Sequence, residues 1–249
     1  MRRLPTVAAI TAVVALMLGI LGFVVSATTS PVSAQTSTTI INEGGPDGFV
    51  AVVKVSLDPS SNWSTALTGC DVVIHTAARV HVMNEKASDP LTAFRDVNTA
   101  GTLNLARQAA AAGVRRLVFL SSIKVNGEHT APGRPFTADQ PAQPEDPYGQ
   151  SKWEAEQGLR ALGAATGLEV VIVRPPLVYG PGVRANFAAL LRAVDRGWPL
   201  PLASVTGNRR SLVALDNLVD LLVTCAHHPA AARQTFLVSD GEDLSTAGL

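Results

Sequence analysis

The chain has 249 residues, of which 47% are hydrophobic and 16% are charged. This length and composition predict one well-packed core with at most a small additional lobe. Twenty basic and twenty acidic residues give a formal net charge of zero, which argues against a surface for binding nucleic acid.

The cysteines and histidines give no sign of a metal site. Cys70 and Cys225 are the only cysteines, and they lack the spacing of metal ligands. Two isolated thiols in a chain of this kind are more often core residues than a disulfide. No pair of histidines shares a predicted face with a carboxylate, so no metal is expected.

The first 34 residues have the pattern of an export segment. Positive charge in Met1–Arg3 precedes an almost wholly apolar run from Val7 to Ala27, and Val32–Ala34 is typical of a cleavage site. The apolar run is also long enough to span a membrane once, so a cleaved signal and a retained anchor both remain open. Residues 35–48 are predicted to be a linker and residues 49–249 a folded domain.

From Phe49 onward, short β-branched runs alternate with helical segments. The predicted strands are Phe49–Val55, Asp71–His75, Arg116–Leu120, Leu168–Arg174 and Thr235–Val238. The predicted helices are Asn62–Leu67, Pro90–Ala112, Pro147–Ala165, Ala185–Arg196 and Asp216–His227. This alternation predicts an α/β fold with a parallel sheet covered by helices on both faces.

Small and hydroxyl-bearing residues come at the ends of three predicted strands. Thr76–Ala78 follow one strand, Ser121–Ser122 end another, and Pro175–Pro176 follow a third. Ligands of parallel α/β sheets bind beyond the carboxyl ends of the strands, so a cofactor and a substrate are expected to meet here. Ala77 and Ala78 would let a flat ligand approach the backbone, although tight packing explains them equally well.

Tyr148 and Lys152 are four residues apart in a predicted helix and therefore share one helical face. A free phenol has a pKa of about 10, and a cation within roughly 4–6 Å can lower the pKa of an acid by about 1–3 units. The sequence therefore predicts that Lys152 lowers the pKa of Tyr148 and makes it a proton acceptor for an alcohol or sugar hydroxyl, beside Ser122.

Six segments extend this pattern along the chain. They are Val72–Ala78, Asp96–Thr102, Phe119–Gly127, Pro147–Lys152, Arg174–Gly182 and Gly207–Asp216. In this order they resemble the extended short-chain dehydrogenase/reductase family, specifically its NAD-dependent nucleotide-sugar epimerases and dehydratases. The Ser121–Gly127 segment looks most like 4-epimerases of surface-polysaccharide assembly, some of which act on polyprenol-linked sugars.

The resemblance implies a Rossmann-like, doubly wound parallel sheet, NAD as cofactor, and epimerisation of a nucleotide- or polyprenol-diphosphate sugar through a 4-keto intermediate. It also implies a homodimer. Tyr148 would act as acid and base, Lys152 would lower its pKa and hold the nicotinamide ribose, and Ser122 would bind the reacting hydroxyl. The residues implied to contact or support the dinucleotide are Thr76, Ala77, Ala78, Asn98, Ser121, Tyr148, Lys152 and Pro175. The residues implied to bind the substrate diphosphate are Asn186 and Arg209.

The sequence departs from the family pattern near its amino end. The family begins with a strand, a glycine-rich phosphate loop and a helix. Gly45–Ala51 only partly matches such a loop, and Val52–Leu57 after it is too short for the helix and the second strand. The first strand–loop–helix unit is therefore expected to be missing. The small substrate lobe is expected to be incomplete, because residues 239–245 are followed by only four more residues.

Two alternatives to an epimerase stay open. One is a non-catalytic exported or membrane-tethered remnant of the fold, since an export segment conflicts with the cytoplasmic location that the family implies. The other is a related NAD(P)-dependent dehydratase or reductase. Ile123 follows Ser122 where a dehydratase would usually need an acid/base residue, which favours an epimerase.

Overall fold

The computed structural model describes residues 38–41, 50–53, 57–80, 89–183, 185–202 and 204–249. The predicted export segment, residues 1–34, lies outside them. Within the described part of the chain, no helix combines the length and the apolar character needed to cross a membrane.

In the described part of the chain, nine strands form two sheets. In chain order they are β1 (Thr38–Ile41), β2 (Val50–Val53), β3 (Val72–His75), β4 (Arg116–Leu120), β5 (Glu169–Arg174), β6 (Leu177–Tyr179), β7 (Arg210–Ala214), β8 (Thr235–Leu237) and β9 (Asp243–Leu244). The main sheet has the order β2-β1-β3-β4-β5-β8, and the small sheet has the order β6-β7-β9. Strands β3, β4, β5 and β8 are parallel, whereas β1 is antiparallel to both β2 and β3.

Six α-helices are present among the residues that the structure describes. They are α1 (Ser64–Leu67), α2 (Pro90–Phe94), α3 (Thr102–Ala111), α4 (Pro147–Thr166), α5 (Ala185–Asp195) and α6 (Leu215–His227). A π-helical turn, Arg95–Gly101, joins α2 to α3, so the single helix predicted over this range has an irregular middle. Short 3₁₀ turns occupy Ile123–Val125 and Pro229–Ala231.

The core has two halves, one on each face of the main sheet. Side chains of a strand point alternately to opposite faces. In β4, Leu117 and Phe119 belong to the half that contains residues of α1, α3 and α4. Val118 and Leu120 belong to the half that contains residues of α6. The predicted α/β layering, with helices on both faces of a largely parallel sheet, is therefore confirmed.

The antiparallel edge of the main sheet is a difference from the prediction. Strand β1, Thr38–Ile41, lies inside the range 35–48 that was predicted to be a linker, and its β-branched sequence suits a strand. It pairs with β2 on one side and with β3 on the other. An antiparallel pair thus occupies the sheet beside β3.

The small sheet was not predicted, because its strands have only 3, 5 and 2 residues. Strand β7 pairs in parallel with β6 and in antiparallel with β9. The residues that follow β5 are thereby held together beside the main sheet.

Gly163 tests how closely α4 packs on the main sheet. A Cβ atom at this position would lie 2.8 Å from the backbone oxygen of Leu168 and 3.2 Å from Cγ2 of Val170. Replacing a mid-helix glycine by alanine ordinarily stabilises by up to about 1 kcal/mol. We expect Gly163→Ala instead to lower the free energy of unfolding by about 1–3 kcal/mol, measured by urea denaturation, because the backbone of Leu168 must move.

Gly207→Ala is the control for this substitution, because a Cβ atom there would meet nothing within 4 Å. It should leave the free energy of unfolding nearly unchanged. A Gly163→Ala protein as stable as the parent would show that α4 can shift freely on the sheet.

Candidate active site

Tyr148 lies in the first turn of α4, and the sequence around it explains why the helix begins there. Asp146 is the N-cap residue, and its Oδ1 accepts a hydrogen bond from the backbone N–H of Gly149 at 2.6 Å. Pro147 occupies the first helical position, where a missing N–H costs nothing. The phenol is thus presented at the amino-terminal end of the helix.

The hydroxyl of Ser122 lies close enough to the phenol of Tyr148 to favour its ionised form by hydrogen bonding. Ser122 directly follows β4, so the bond joins the carboxyl edge of the sheet to the start of α4. The ring of Phe94 packs edge-on against the Tyr148 ring, with centroids 6.1 Å apart. The predicted pairing of these two hydroxyls is therefore present in the structure.

Lys152 is one helical turn beyond Tyr148 and is almost completely buried, with 1% of its surface exposed. Its Nζ donates a hydrogen bond to the backbone oxygen of Leu120 at 2.7 Å and lies 4.3 Å from the centroid of the Phe119 ring. Burial lowers the pKa of Lys152 to about 7, against the opposing charge of Glu156. The ammonium is held under the carboxyl end of β4.

The prediction that Tyr148 has a lowered pKa is wrong. Burial and the charge of Asp146 raise the pKa of Tyr148 to about 12, against the opposing effects of Lys124 and of the hydrogen bond from Ser122. The physical reason is twofold: the phenol loses contact with water, and the Lys152 ammonium is engaged with Leu120. Shared helical spacing brought the two side chains to one face but did not fix where the ammonium points.

A buried ion pair lies beneath these residues. Glu156 accepts hydrogen bonds at Oε1 from Arg174 Nε at 2.9 Å and at Oε2 from Arg174 Nη2 at 2.6 Å. Ser121 Oγ donates to the same Oε1 at 2.6 Å, and Arg174 Nη1 donates to Oδ1 of Asn126 at 2.9 Å. Ser121 was predicted to support the dinucleotide, and the structure engages its hydroxyl with Glu156. The ion pair thereby fixes the strand end that carries Ser121 and Ser122.

Asn98 anchors the segment after β3 to α4. Its Oδ1 accepts from the backbone N–H of Arg79 at 2.7 Å, and its Nδ2 donates to the Arg79 oxygen and to Ser151 Oγ, each at 3.0 Å. The next residue, Thr99, donates to the backbone oxygen of Ser151 at 2.9 Å. The π-helical turn lets both consecutive residues face α4, and such turns are frequent at functional sites. The role implied for Asn98 by the resemblance, support of the dinucleotide, stays a prediction.

The residues predicted to line a dinucleotide lie at one edge of the sheet. Thr76, Ala77 and Ala78 follow β3, which pairs with β4, and β4 pairs with β5. Pro175 follows β5 and is buried, and its backbone oxygen accepts from the N–H of Ile123 at 3.0 Å. Ala77 is 8% exposed. The three strand ends therefore converge as predicted.

The two residues predicted to bind a diphosphate belong to the elements that follow β5. Asn186 lies in the first turn of α5, and its side chain is outside the described atoms. Arg209 is exposed and directly precedes β7. Both predictions remain predictions.

Comparison with protein families decides the classification. The model of the NAD dependent epimerase/dehydratase family matches residues 15–239. The chain belongs to this family. The resemblance inferred from the six segments is confirmed, and NAD, the cofactor that the resemblance implied, is the one in the family's description. The match also includes residues 15–48, which the sequence alone assigned to the export segment and the linker.

Two curated relatives illustrate the similarity. A UDP-glucose 4-epimerase of Vibrio cholerae is 57% identical over 201 residues, which are 81% of this chain and 61% of the relative. The N-acetyl-alpha-D-glucosaminyl-diphospho-ditrans,octacis-undecaprenol 4-epimerase of Escherichia coli O157:H7 is 29% identical, over 72% of this chain and 53% of the relative. The chain thus spans between half and two-thirds of the length of these relatives.

Solved structures of the family have the same fold. MoeE5 in complex with UDP-glucose and NAD superimposes with a TM-score of 0.68 and 27% sequence identity, over 81% of this chain and 67% of the other. The dTDP-glucose 4,6-dehydratase DesIV of Streptomyces venezuelae, with NAD and TYD bound, has a TM-score of 0.60 and 28% identity, over 72% and 55%. The Rossmann-like fold class is confirmed.

Sequence reasoning missed four charged residues around the site: Lys124, Asp146, Glu156 and Arg174. Two of them carried a readable signal. Asp146 precedes Pro147, a typical N-cap and first-turn pair, and Glu156 continues the four-residue spacing of Tyr148 and Lys152. Lys124 and Arg174 have no such signal, because the site residues that they bind, Asp146 and Glu156, lie 22 and 18 residues away in the sequence.

Proposed function

We propose that the chain catalyses NAD-dependent epimerisation at C4 of a sugar in a sugar diphosphate. The observation that carries this proposal is that the Ser122 hydroxyl, the Tyr148 phenol and the buried Lys152 come together at the carboxyl edge of the sheet of a family member. Strands β6 and β7 and helix α5 follow β5 in the sequence and form a small lobe. We expect this lobe to bind the rest of the substrate.

The chain's own residues supply a route for the proton. Tyr148 is placed to take the proton of the sugar 4-hydroxyl and to return it after the configuration at C4 has been inverted. Ser122 is hydrogen-bonded to that phenol and can bridge it to the sugar oxygen. Because burial keeps the pKa of Tyr148 at about 12, the phenol is protonated at neutral pH until the site is assembled. Bound NAD would supply a positively charged ring that accepts a hydride and gives the same hydride back.

The residues at this edge suit a dinucleotide. The Lys152 ammonium has three N–H donors, of which the bond to Leu120 uses one, so donors remain for a ribose hydroxyl. Ala77 and Ala78 have no bulk beyond Cβ and can lie close to a flat ring or a sugar. Asn98 holds the segment after them in place through Arg79. These are the residues that we propose to hold the nicotinamide half of NAD.

We propose a UDP-hexose as the substrate. Support comes from the Vibrio cholerae relative, whose name specifies UDP-glucose, and from the UDP-glucose bound to MoeE5. A sugar on a polyprenol diphosphate is the second substrate class, supported by the name of the Escherichia coli relative. Arg209, an exposed guanidinium, is suited to binding a diphosphate of either class.

An epimerase fits the site better than a dehydratase. Two carboxylates near the Ser122–Tyr148 pair in the described part of the chain, Asp146 and Glu128, are both engaged in ion pairs with Lys124. A carboxylate held in this way is poorly placed to act as the additional acid that dehydration needs. The non-catalytic alternative is favoured by one observation, the antiparallel strand beside β3, where the family pattern has a parallel strand.

Mixing the protein with NAD and UDP-galactose tests the proposal directly. We expect UDP-glucose to form, detected by NMR or by a coupled assay, and NAD to raise the melting temperature of the protein. Turnover of an undecaprenyl-diphosphate sugar with no turnover of UDP-galactose would assign the second substrate class. No turnover of either class, together with no thermal shift by NAD, would support the non-catalytic alternative.

Three statements about the wider protein stay predictions. Residues 1–34 are an export signal or an anchor, residues 35–48 are a linker for their greater part, and the protein is a homodimer. Amino-terminal sequencing of the protein from its native host tests the first, and sedimentation equilibrium tests the last.

A further inference from the structure

Lys124 lies directly beside the hydroxyl pair, in the short turn that follows β4. The backbone N–H of Lys124 donates to Oγ of Ser122 at 3.2 Å. The Lys124 Nζ donates to Oδ2 of Asp146 at 2.6 Å and to Oε1 of Glu128 at 2.7 Å. One lysine therefore contacts the catalytic serine through its backbone and two carboxylates through its side chain.

The carboxylate of Asp146 serves two elements at once. Oδ1 caps α4 through the N–H of Gly149, while Oδ2 binds Lys124. The turn and the helix also touch through their backbones, since a Cβ atom on Gly149 would lie 2.9 Å from the Lys124 oxygen. The side chains of Lys124 and Asp146 are 39% and 29% exposed, so their ion pair adds little to global stability. Its effect is local.

We propose that Lys124 is a positioning residue for the proposed reaction. By binding Asp146, it holds the turn that carries Ser122 against the helical turn that carries Tyr148, and so keeps the two hydroxyl groups hydrogen-bonded. This inference rests on the proposed function, because it assigns a role to Lys124 only if that hydroxyl pair is catalytic. It does not depend on which sugar diphosphate is bound.

The cluster also places charges around the phenol. Burial is the largest effect on the pKa of Tyr148, and next to it Asp146 raises and Lys124 lowers the value. Lys152 lies one turn further along α4. From α2, the uncharged ring of Phe94 packs against the phenol. A change at Lys124 or at Asp146 should therefore move the ionisation of Tyr148 in opposite directions.

The Lys124 ammonium is charged under working conditions. Burial alone would lower the pKa of Lys124, but the hydrogen bonds to Asp146 and Glu128 outweigh it and raise the pKa above its ordinary value. The positive charge that Lys124 needs for its ion pair with Asp146 is therefore present throughout the neutral pH range.

Three variants separate the position of the phenol from its electrostatics. Lys124→Met removes the ion pair, Lys124→Arg keeps it, and Asp146→Asn keeps an N-cap while removing the negative charge. We expect kcat to fall by about 10- to 100-fold in Lys124→Met and in Asp146→Asn, with KM changed by less than about threefold. Lys124→Arg should recover most of the activity. In the pH profile of kcat, the two damaging substitutions should shift the limb that reports the ionisation of Tyr148 in opposite directions, to higher pH for Lys124→Met and to lower pH for Asp146→Asn.

A second readout needs no turnover. The chain has only two tyrosines, Tyr148 and Tyr179, so the ring signals of Tyr148 can be assigned by NMR from a Tyr179→Phe sample. The neighbouring Phe94 ring should displace these signals from their unfolded positions. In Lys124→Met and Asp146→Asn we expect them to move or broaden, and in Lys124→Arg to stay.

Arg115→Met is the matched control, because it removes exposed ion pairs with Asp71 and Glu169 at the opposite edge of the sheet. It should change neither kcat nor the Tyr148 signals. Unchanged kcat and unchanged signals in Lys124→Met would overturn the proposal, and so would a fall in kcat with unchanged signals, which would indicate a direct contact with substrate. If the parent protein itself does not turn over, the proposed function fails, and the NMR signals alone then decide whether Lys124 holds Tyr148.

Discussion

Replacing Tyr148 by phenylalanine should lower kcat for epimerisation by about 10²- to 10⁴-fold while leaving the fold intact. The substitution removes a single oxygen, the one that is hydrogen-bonded to Ser122. Without it, the sugar 4-hydroxyl has no positioned group to take its proton. The ring itself keeps its edge-on contact with Phe94, so neither a cavity nor a change of helix position is expected.

The size of this effect depends on how the phenol is activated. With a pKa of about 12, Tyr148 is a weak base by itself, and its ionisation must be made easier when substrate and cofactor are bound. If the phenol acted only by orienting the sugar, its removal would lower kcat less, by on the order of tenfold. That factor corresponds to the loss of one hydrogen bond of about 1.4 kcal/mol. The measured loss of kcat therefore distinguishes proton transfer from orientation.

Tyr179→Phe is the matched control for Tyr148→Phe. It also removes one phenolic oxygen, which in the structure donates a hydrogen bond to Oδ2 of Asp240 at 2.8 Å. That bond joins β6 to the segment after β8, in the lobe where we expect the rest of the substrate and apart from the proposed proton acceptor, so kcat should fall far less than in Tyr148→Phe. Unchanged epimerisation in Tyr148→Phe, with retained NAD binding, would contradict the catalytic assignment of the phenol.

The layered part of the fold could be read from the sequence because its signals are local. The strand Arg116–Leu120 was predicted with the bounds that the structure shows, and α4 was predicted from Pro147 to within one residue of its end. In both cases a turn signal or a proline adjoins a run whose periodicity belongs to one type of element. The small sheet could not be read in this way, since strands of two and three residues have no periodicity.

The site was predictable in its identities and less so in its electrostatics. Helical spacing placed Tyr148 and Lys152 on one face, and the strand ends brought Ser122 to them. However, the direction of the Tyr148 pKa depends on burial and on where the Lys152 ammonium points, which in turn depends on the Leu120 oxygen. Those are properties of packed tertiary structure. The spacing of a motif therefore indicates which groups come together, but it does not determine the pKa values of those groups.

Replacing Glu156 by glutamine should be the most destabilising of the substitutions considered for this site, with a loss of about 3–5 kcal/mol in the free energy of unfolding. Glu156 is fully buried, and its partner Arg174 is 1% exposed. Glutamine has the same size and can still accept a hydrogen bond, so the loss reflects charge and not a cavity. A guanidinium cannot give up its proton, and Arg174 would remain charged in the interior without its partner.

The companion variant Arg174→Met should cost less. It leaves Glu156 beside the Lys152 ammonium, which is a second positive charge within the same buried cluster. A buried carboxylate can also become neutral by taking up a proton, which lowers the cost of burying it, whereas a guanidinium stays charged. The expected order of stability is therefore parent, then Arg174→Met, then Glu156→Gln, measured by urea denaturation at one pH.

The pH dependence of Glu156→Gln follows from Lys152. In the parent, burial holds the pKa of Lys152 at about 7, below its value in the unfolded chain, and Glu156 opposes that lowering. Below both pKa values the folded protein bears the full cost of a buried ammonium; above the folded pKa this cost falls with rising pH and is gone only when the unfolded-state lysine also loses its proton. Parent and variant bear the same cost once Lys152 is neutral in both folded proteins. Removing Glu156 lowers the folded pKa further, so the additional cost is present below about pH 7 and vanishes as the pH rises through it.

We therefore expect the difference in unfolding free energy between the parent and Glu156→Gln to be larger at about pH 5.5 than at about pH 8.5. The part that persists at the higher pH is the cost of the unpaired Arg174. An equal difference at both pH values would show that Glu156 does not act on Lys152. A difference that vanished at the higher pH would show that Arg174 finds another partner, with Asn126 Oδ1, 2.9 Å from its Nη1, as the nearest acceptor already in place.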